Sequence, residues 1–208
     1  MIEILEKLFG SATKVKIMRL FLFNPEEIFT LVATALRSRV PETDAKHNLA
    51  LLEEVGLIER RKVSQEVKVS NKLGKKQKKS SRTVDGWILN QDFGLINQLR
   101  DLVLYVSPFR NREIIKLLSR AAKLKLVVLS GVFRHNLDAR IDLLVVGDNL
   151  KKPTLDTIIK KIESEMGREI KYAAFETTDF KYRMDMYDKL VRDVFDYPHE
   201  KILDKIAL

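Results

Sequence analysis

The chain of 208 residues contains no cysteine, which removes disulfides, thiolate metal sites and cysteine nucleophiles together. Its three histidines, His47, His135 and His199, are scattered and therefore argue against a zinc site. No run approaches the roughly 20 apolar residues needed to cross a bilayer, and the N-terminus lacks the pattern of a signal peptide. These absences predict a cytoplasmic protein with no membrane contact, no metal and no cofactor.

Positive charge, in contrast, is present in excess. The formal net charge is +9, and the segment from Ile58 to Arg82 alone holds ten lysines and arginines against two acidic residues. A concentration of positive charge favours a polyanionic partner, although it says nothing about the fold. The composition therefore points to a nucleic-acid contact in this segment.

Helix signals come first along the chain. Ser11 can cap a helix over ATKVKIMRLFLFN, and Thr30 can cap a short helix over LVATALRS. Pro41 can open a third helix, PETDAKHNLALLEEV, as its first-turn proline, and Gly56 ends it. The following LIERRKVSQEVKVS has strand character, and RTVDGWIL is predicted to be the returning strand.

Three helices followed by a two-stranded hairpin are the order of a winged helix-turn-helix domain. The segments LFGSATKVKIMRLFLFNPEEIFTLVATAL and LALLEEVGLIERR resemble bacterial and archaeal winged-helix transcription regulators, over about residues 1–92. The resemblance implies that the third helix enters the major groove of duplex DNA and that the hairpin, the wing, contacts phosphates.

The candidate DNA contacts form two groups. Those on the third helix would face base edges, and they are Thr43, Lys46 and His47. Those on the hairpin and its turn would contact phosphates, and they are Arg60, Arg61, Lys72, Lys75, Lys76, Lys78, Lys79 and Arg82. Glu42 and Asp44 would repel phosphate, so we expect weak sequence readout. Two alternatives stay open: the third helix only packs, or the lysine-rich turn is a solvated loop without a partner.

The second half alternates helices and strands. Residues 93–107 have helical apolar spacing and are interpreted as a linker helix, and a further helix follows Ser107-Pro108. Strands are predicted at KLVVLSG, IDLLVVGD and REIKYAAF, with a helix from Thr154 to Met166 and more helices from Thr178 onward. This order predicts a small α/β domain over residues 108–208, with a mixed sheet, and an α+β fold class for the whole chain.

Residues 127–148, VVLSGVFRHNLDARIDLLVVGD, resemble the active-site hairpin of the nucleotidyltransferase superfamily. The similarity extends over about residues 108–204. In that family a Gly-Ser loop holds the nucleotide phosphates, and an Asp-x-Asp pair on the next strand holds divalent metal ions. The resemblance implies a nucleotidyltransferase-like fold for the second domain.

The catalytic positions of that family are altered in this chain. Gly131 is kept, but Val132 stands in place of the serine, and Arg140 stands in place of the first aspartate, before Asp142. A cation beside a site that needs anionic oxygen ligands opposes metal binding. The resemblance therefore implies a degenerate nucleotide site of Gly131, Arg140 and Asp142, with no catalytic residue. Asp142 is expected either to bond backbone amides of the glycine loop or to pair with Arg140.

Three functions follow, in order of preference. The first is a DNA-binding protein, a transcription regulator that binds duplex DNA and is expected as a homodimer, whose inactive second domain serves dimerisation, sensing or partner binding rather than nucleotide binding. The second is a Mg²⁺-dependent nucleotidyltransferase that modifies a protein or RNA through Asp138, Asp142 and Glu169. The third is an interaction module for protein or RNA. One fold hosts many functions, so the folds alone do not choose among them.

Overall fold

The computed structural model describes residues 2–69, 78–136 and 139–206. Over these residues the protein has nine helices and two sheets, one of them mixed, which confirms the predicted α+β class. The chain divides into two compact units, an N-terminal unit of Glu3–Leu104 and a C-terminal unit that contains Tyr105–Leu208. Within the described ranges, no helix has the length and apolar character that a bilayer crossing requires.

Over the described residues the N-terminal unit contains five helices, and two of them begin at the predicted capping residues. They are α1 (Ile2–Phe9), α2 (Ala12–Phe23), α3 (Leu31–Ser38), α4 (Glu42–Glu54) and α5 (Ile96–Leu104). The Ser11 side chain accepts a hydrogen bond from the Lys14 amide at the start of α2, and the Thr30 side chain accepts one from the Ala33 amide at the start of α3. Pro41 differs slightly from the prediction. Its extended ψ of 144° makes it the N-cap of α4 rather than a first-turn residue.

Three antiparallel strands complete this unit: β1 (Phe29–Thr30), β2 (Ile58–Val69) and β3 (Lys78–Leu89). The sheet order is β1-β3-β2, so the short strand pairs with the returning strand of the hairpin. The hairpin register is continuous from Ile58 opposite Leu89 to Val69 opposite Lys78. Both hairpin strands were predicted from the sequence, although the predicted returning strand began at Arg82 and β3 begins at Lys78. Strand β1 was not predicted, because two residues are too few to show a periodic pattern.

The core of the N-terminal unit joins α2, α4 and the hairpin with α5. Phe21, Leu49 and Val103 are fully buried within it. The Arg19 side chain, itself buried, donates from Nε to the Val103 carbonyl at 3.3 Å. Residues interpreted from the sequence as a linker helix therefore contribute to this core.

The C-terminal unit contains a four-stranded sheet with helices along it. Its helices are α6 (Asn111–Leu118), α7 (Lys152–Met166), α8 (Thr177–Asp185) and α9 (Lys189–Asp196). Its strands are β4 (Lys123–Leu129), β5 (Leu143–Asp148), β6 (Tyr172–Phe175) and β7 (Glu200–Asp204), in the order β6-β5-β4-β7. The β5–β6 pair is parallel and the other two pairs are antiparallel, which gives the predicted mixed sheet.

The interior of this unit follows the apolar runs of β4 and β5. Leu126, Val128, Leu144 and Val146 are inaccessible to solvent and pack with Phe180 of α8. The last strand departs from the prediction of helices from Thr178 onward, because residues 200–204 pair with β4. A short 3-10 turn over Gly131–Arg134 follows β4 and places the glycine loop at the end of the sheet where β5 begins.

Candidate nucleic-acid interface and glycine-loop site

Helix α4 separates its buried and exposed residues cleanly. Ala45, Asn48, Leu49 and Leu52 face the core, whereas Thr43, Lys46 and His47 are exposed. The Asn48 amide nitrogen donates to the Asp44 carbonyl at 2.8 Å, so its polar group is satisfied within the helix. The acidic residues Glu42 and Asp44 lie in the first turn, where the positive end of the helix dipole favours them. The three candidate base readers, Thr43, Lys46 and His47, therefore lie together on the exposed side of α4.

Arg60 of β2 is held by an acid of α4. Its Nε and Nη2 atoms donate to Glu53 Oε1 and Oε2 at 3.0 and 2.9 Å, a bidentate geometry. The Trp87 indole Nε1 donates to the same Oε2 at 2.9 Å, and the Arg60 guanidinium lies 5.4 Å from the Trp87 ring centroid. The hydrogen bond from Arg60 and then that from Trp87 lower the pKa of Glu53 below its ordinary value. We call Glu53, Arg60, Lys62, Asp85 and Trp87 the ionic cluster.

Asp85 of β3 completes the ionic cluster. Its carboxylate lies 2.6 Å from Lys62 Nζ and 3.8 Å from Arg60 Nη1. The hydrogen bond from Lys62 is the main cause that lowers the pKa of Asp85. Lys46 and Ala50 of α4 and several members of the cluster line a cleft of about 400 Å³ between α4 and the hairpin. Lys46 thus borders this cleft as well as the open face of α4.

Of the other predicted phosphate contacts on the hairpin, the structure describes the side chains of two, Arg61 and Arg82. Arg61 pairs with Glu59 at 2.7 Å, and Arg82 is exposed on β3 opposite Gln65. The backbones of Lys78 and Lys79 belong to β3, whereas their side chains lie outside the described residues, as do Lys72, Lys75 and Lys76. Arg60 and Arg61, both predicted to contact phosphate, therefore have acidic partners within the protein.

Sequence reasoning missed Glu53, Lys62 and Asp85. Their positions become adjacent only through the pairing of β2 with β3 and the packing of α4 against the hairpin. One signal was available: a buried indole requires an acceptor, and Trp87 is only 9% exposed. That rule predicts an acceptor near Trp87 but cannot identify it as Glu53.

The glycine loop is built around Asp142. Its Oδ1 accepts from the Val132 amide and its Oδ2 accepts from the Lys171 amide, both at 2.8 Å. The main chain of Asp142 also accepts from the Ser130 amide at 2.8 Å and donates to the Lys171 carbonyl at 2.7 Å. Because the residue is 5% exposed, these bonds fix the loop, β5 and the start of β6 to one another. Of the two roles expected for Asp142, the structure has the backbone-amide one.

Gly131 makes this arrangement possible. Its φ of +51° is in the left-handed region, and a Cβ built on it would overlap Asp142 Oδ1. Any side chain would therefore displace the carboxylate as well as strain the backbone. From the sequence, we expected this glycine to permit the close approach of a nucleotide. In the structure it permits close approach of Asp142.

Arg140 does not pair with Asp142. Its Nε lies 3.2 Å from Asp193 Oδ2 of α9, with an Arg140 side chain that is 62% exposed and an Asp193 side chain that is 17% exposed. The expected Arg140–Asp142 pair is thus replaced by a pair between the loop before β5 and α9. Sequence spacing could not find Asp193, because the contact is made by a helix far along the chain.

The described residues of this loop do not fit a pair of divalent cations. Both Asp142 oxygens already accept backbone N–H groups, and a cation stands at the Arg140 position. The Ser130 hydroxyl donates to the Pro198 carbonyl at 3.0 Å, so it is engaged within the fold. Glu169 lies in the segment before β6, and Asp138 lies outside the described residues. This loop therefore does not provide the ligands that a metal-dependent step needs.

Comparison with known proteins identifies no relatives: no protein-family model matches the chain, and neither curated proteins nor solved structures match it.

Proposed function

We propose that the protein is a DNA-binding transcription regulator, with a winged helix-turn-helix in its N-terminal unit. In this proposal α3 and α4 form the helix-turn-helix, α4 enters the major groove, and the β2–β3 hairpin is the wing. The strand order β1-β3-β2 supports it, as does the succession of α2, α3, α4 and the hairpin along the chain. Duplex DNA is the proposed partner, and a homodimer is the expected assembly.

One observation carries the proposal: α4 exposes Thr43, Lys46 and His47 while its opposite face is buried. An amphipathic helix of 13 residues, anchored by Leu49 and Leu52, presents a fixed row of polar side chains to a groove. The hairpin beside it carries the most basic segment of the chain. Base edges and phosphates could thus be contacted by adjacent elements of one unit.

The internal pairs of the ionic cluster refine which cations bind DNA. Arg60 already has Glu53 as a bidentate partner, and Arg61 already has Glu59, so a phosphate must compete with a carboxylate at both. We propose that the phosphate contacts rest mainly on Lys46, Arg82 and the lysines of the hairpin turn. Lysine and backbone contacts position a protein on DNA without specifying sequence.

The C-terminal unit is proposed to be a nucleotidyltransferase-like domain that no longer transfers nucleotides. The mixed sheet and the glycine loop at the β4–β5 end support the likeness. The engagement of both Asp142 oxygens by backbone amides supports the loss of activity. Dimerisation, sensing or partner binding then remains its role.

Fluorescence anisotropy with labelled duplex DNA over a salt series tests the DNA-binding proposal. Substituting Lys72, Lys75 and Lys76 together with glutamine should reduce the slope of log affinity against log salt by about 2–3, because each phosphate contact contributes about 0.9. The matched control replaces Lys160, Lys161 and Lys181, which are exposed residues of the C-terminal unit, with glutamine. Equal slopes for the two triple variants, or no binding by the unaltered protein at low salt, would contradict the proposal.

The role of α4 has its own test. Lys46→Gln should weaken binding to all sequences, whereas Lys7→Gln, on the exposed surface of α1, should leave binding unchanged. The double variant Thr43→Ala with His47→Ala should flatten whatever sequence preference a selection from random duplexes reveals. If the sequence preference survived in this double variant, Thr43 and His47 of α4 would not be the residues that read the bases.

The enzymatic alternative is tested with labelled ATP and Mg²⁺ or Mn²⁺. We expect no transfer of label to the protein, to added protein or to RNA. Metal-dependent label transfer by the unaltered chain would overturn the assignment of the C-terminal unit as inactive.

A further inference from the structure

A second basic surface lies in the C-terminal unit, away from the glycine loop. It is an open cleft of about 520 Å³ whose liners include the exposed cations Arg120, Lys123, Lys151 and Lys205. The floor includes Ala121, Ala122 and Leu124, which are buried apolar residues. We call these four cations and their floor the basic cleft. It is at the sheet end where β4 begins, whereas Gly131 follows the end of β4.

Main-chain bonds bring the four cations together from separate elements. The Lys151 amide donates to the Ala121 carbonyl at 2.8 Å, which ties the start of α7 to the residues after α6. The Lys205 amide donates to the Lys125 carbonyl at 2.7 Å, which ties the end of β7 to β4. Lys123 opens β4 between these two attachments. The convergence is therefore fixed by the fold rather than by the side chains.

The charge of the basic cleft is compensated only in part, by acids that do not line it. One is Glu176, which accepts from the backbone amides of Asn149, a lining residue, and Leu150. None of the described residues that line it is acidic. Asp148, which pairs with Lys123 in strand register, accepts from the Thr177 hydroxyl and lies 3.7 Å from Lys125 Nζ. The Thr177 bond, and then the charges of Lys125 and Lys123, lower the pKa of Asp148, so this acid offsets part of the Lys123 charge. Asp204 lies 3.5 Å from Lys201 Nζ.

The start of α7 adds a further positive contribution. Lys151 is the N-cap of this 15-residue helix and makes no side-chain cap hydrogen bond. The first N–H groups of a helix and its dipole favour an anion at that end. The same residue lines the basic cleft, so the positive end of α7 and the four cations act on one location.

We propose that the basic cleft binds backbone phosphates of a nucleic acid, as a contact additional to the N-terminal unit. Four exposed cations around an open, apolar floor suit successive phosphates of a polymer, because no buried polar side chain encloses a single phosphate there. Lysine supplies point charges that do not read sequence. The C-terminal unit would then add affinity without specificity. This goes beyond the proposed function, which assigns all DNA contacts to α4 and the hairpin.

The test uses the full chain and labelled duplex DNA over a salt series. Arg120→Gln, Lys123→Gln and Lys205→Gln are combined; Lys151 is kept because it is the N-cap of α7. We expect the salt slope to fall by about 2–3 and the affinity at low salt to fall about tenfold or more. The control is the Lys160, Lys161 and Lys181 glutamine triple, which removes the same net charge from the same unit. All six side chains are exposed, and far-UV circular dichroism verifies that both variants fold.

Three outcomes would overturn the proposal. In the first outcome, the cleft variant leaves the salt slope unchanged. In the second, it changes the slope no more than the control does, which would mean that the loss of net charge alone explains the effect. Pyrophosphate could bind the cleft saturably, as followed by shifts of the Lys151, Lys152 and Thr154 amides, while the variant left DNA binding unaltered. The site would then take a small anion. The variant is also measured in the background of glutamine at Lys72, Lys75 and Lys76, so a failure of the wing leaves the cleft effect measurable.

Discussion

Two carboxylates, one in each unit, join elements of the fold in different ways. Asp142 of the C-terminal unit is buried and bonds two backbone amides, from Val132 and Lys171. Glu53 of the N-terminal unit is 29% exposed at its side chain and bonds two side chains, Arg60 and Trp87. A backbone amide cannot move away without local unfolding, whereas a half-exposed arginine can exchange its carboxylate for another anion. The first arrangement is suited to holding a loop rigidly, and the second joins α4 to the hairpin by contacts that solvent can reach.

The energies differ for the same reason. A buried amide that loses its acceptor costs about 1–3 kcal/mol, since no water replaces the lost bond. An exposed ion pair contributes about 0.2–1 kcal/mol, because solvent screens it and both side chains lose rotamer freedom. The C-terminal loop should therefore be the more sensitive of the two regions to single substitutions.

The largest effect is expected from Gly131→Ala. The left-handed backbone is strained for alanine, and the new Cβ displaces Asp142 from its two amides, so we expect a loss of about 3–5 kcal/mol in the free energy of unfolding. Urea denaturation measures the loss, with hydrogen exchange at the Val132 and Lys171 amides as the local readout. Gly56→Ala is the control, because Gly56 has φ +82° and no atom within 4 Å of a built Cβ. Equal losses for both variants would mean that Asp142 is not the obstacle.

Asp142→Asn should follow in size. The amide keeps one oxygen acceptor but places an NH₂ group against the second backbone N–H, at a cost of about 2–3 kcal/mol. The identical chemical change at Glu53, Glu53→Gln, should cost about 1 kcal/mol or less because solvent reaches that site. Urea denaturation of the two variants makes the comparison directly. A larger loss at Glu53 than at Asp142 would reverse the ranking of the two regions.

Trp87→Phe is expected to cost about 1–2 kcal/mol, from the lost indole donor and some lost packing. Far-UV circular dichroism in urea is the measurement, since the substitution removes the only tryptophan. A double-mutant cycle with Glu53→Ala, which removes the acceptor, isolates the hydrogen bond. Additive losses in that cycle would show that Trp87 stabilises the unit by packing alone.

The smallest effect is the acid dependence of the ionic cluster. Because the folded state lowers the pKa of Glu53 below its ordinary 4.5, the stabilisation is present above pH 4.5 and is lost as the pH falls through the folded pKa. Trp87 fluorescence in urea at a series of pH values reports on this unit. In the Glu53→Gln variant, the free energy of unfolding should fall less steeply as the pH is lowered. The fall that remains is attributed to Asp85, whose pKa is also lowered. If that variant showed the same pH dependence of unfolding as the unaltered protein, Glu53 would not contribute to the acid dependence of stability.

Local signals in the sequence predicted local structure well. Ser11 and Thr30 cap α2 and α3 because a side-chain oxygen needs only the next turn of its own helix. The apolar runs of β4 and β5 predicted buried strands, and their alternation with helices predicted a mixed sheet. Both kinds of signal depend on neighbours within a few residues.

Partners distant in the chain could not be predicted in the same way. The sequence suggested Asp142 for Arg140, because the two residues share a strand face, but α9 brings Asp193 to it. Residues 200–204 were included among helices, yet pairing with β4 makes them a strand, since tertiary context overrides weak local preference. The basic cleft likewise depends on residues from α6, β4, the β5–α7 connection and β7. None of these juxtapositions has a signature in residue spacing.

The position of β2 at the edge of its sheet has a consequence for handling the protein. Among the described strands only β3 pairs with it, and β1 pairs with β3 at just Trp87 and Gly86, so most of the described hairpin is a two-stranded ribbon. Charged residues, lysine above all, keep such edges from pairing with another copy. Neutralising these lysines, or screening them with concentrated salt, therefore removes a barrier to aggregation. Light scattering should accompany every binding series on variants of the hairpin lysines.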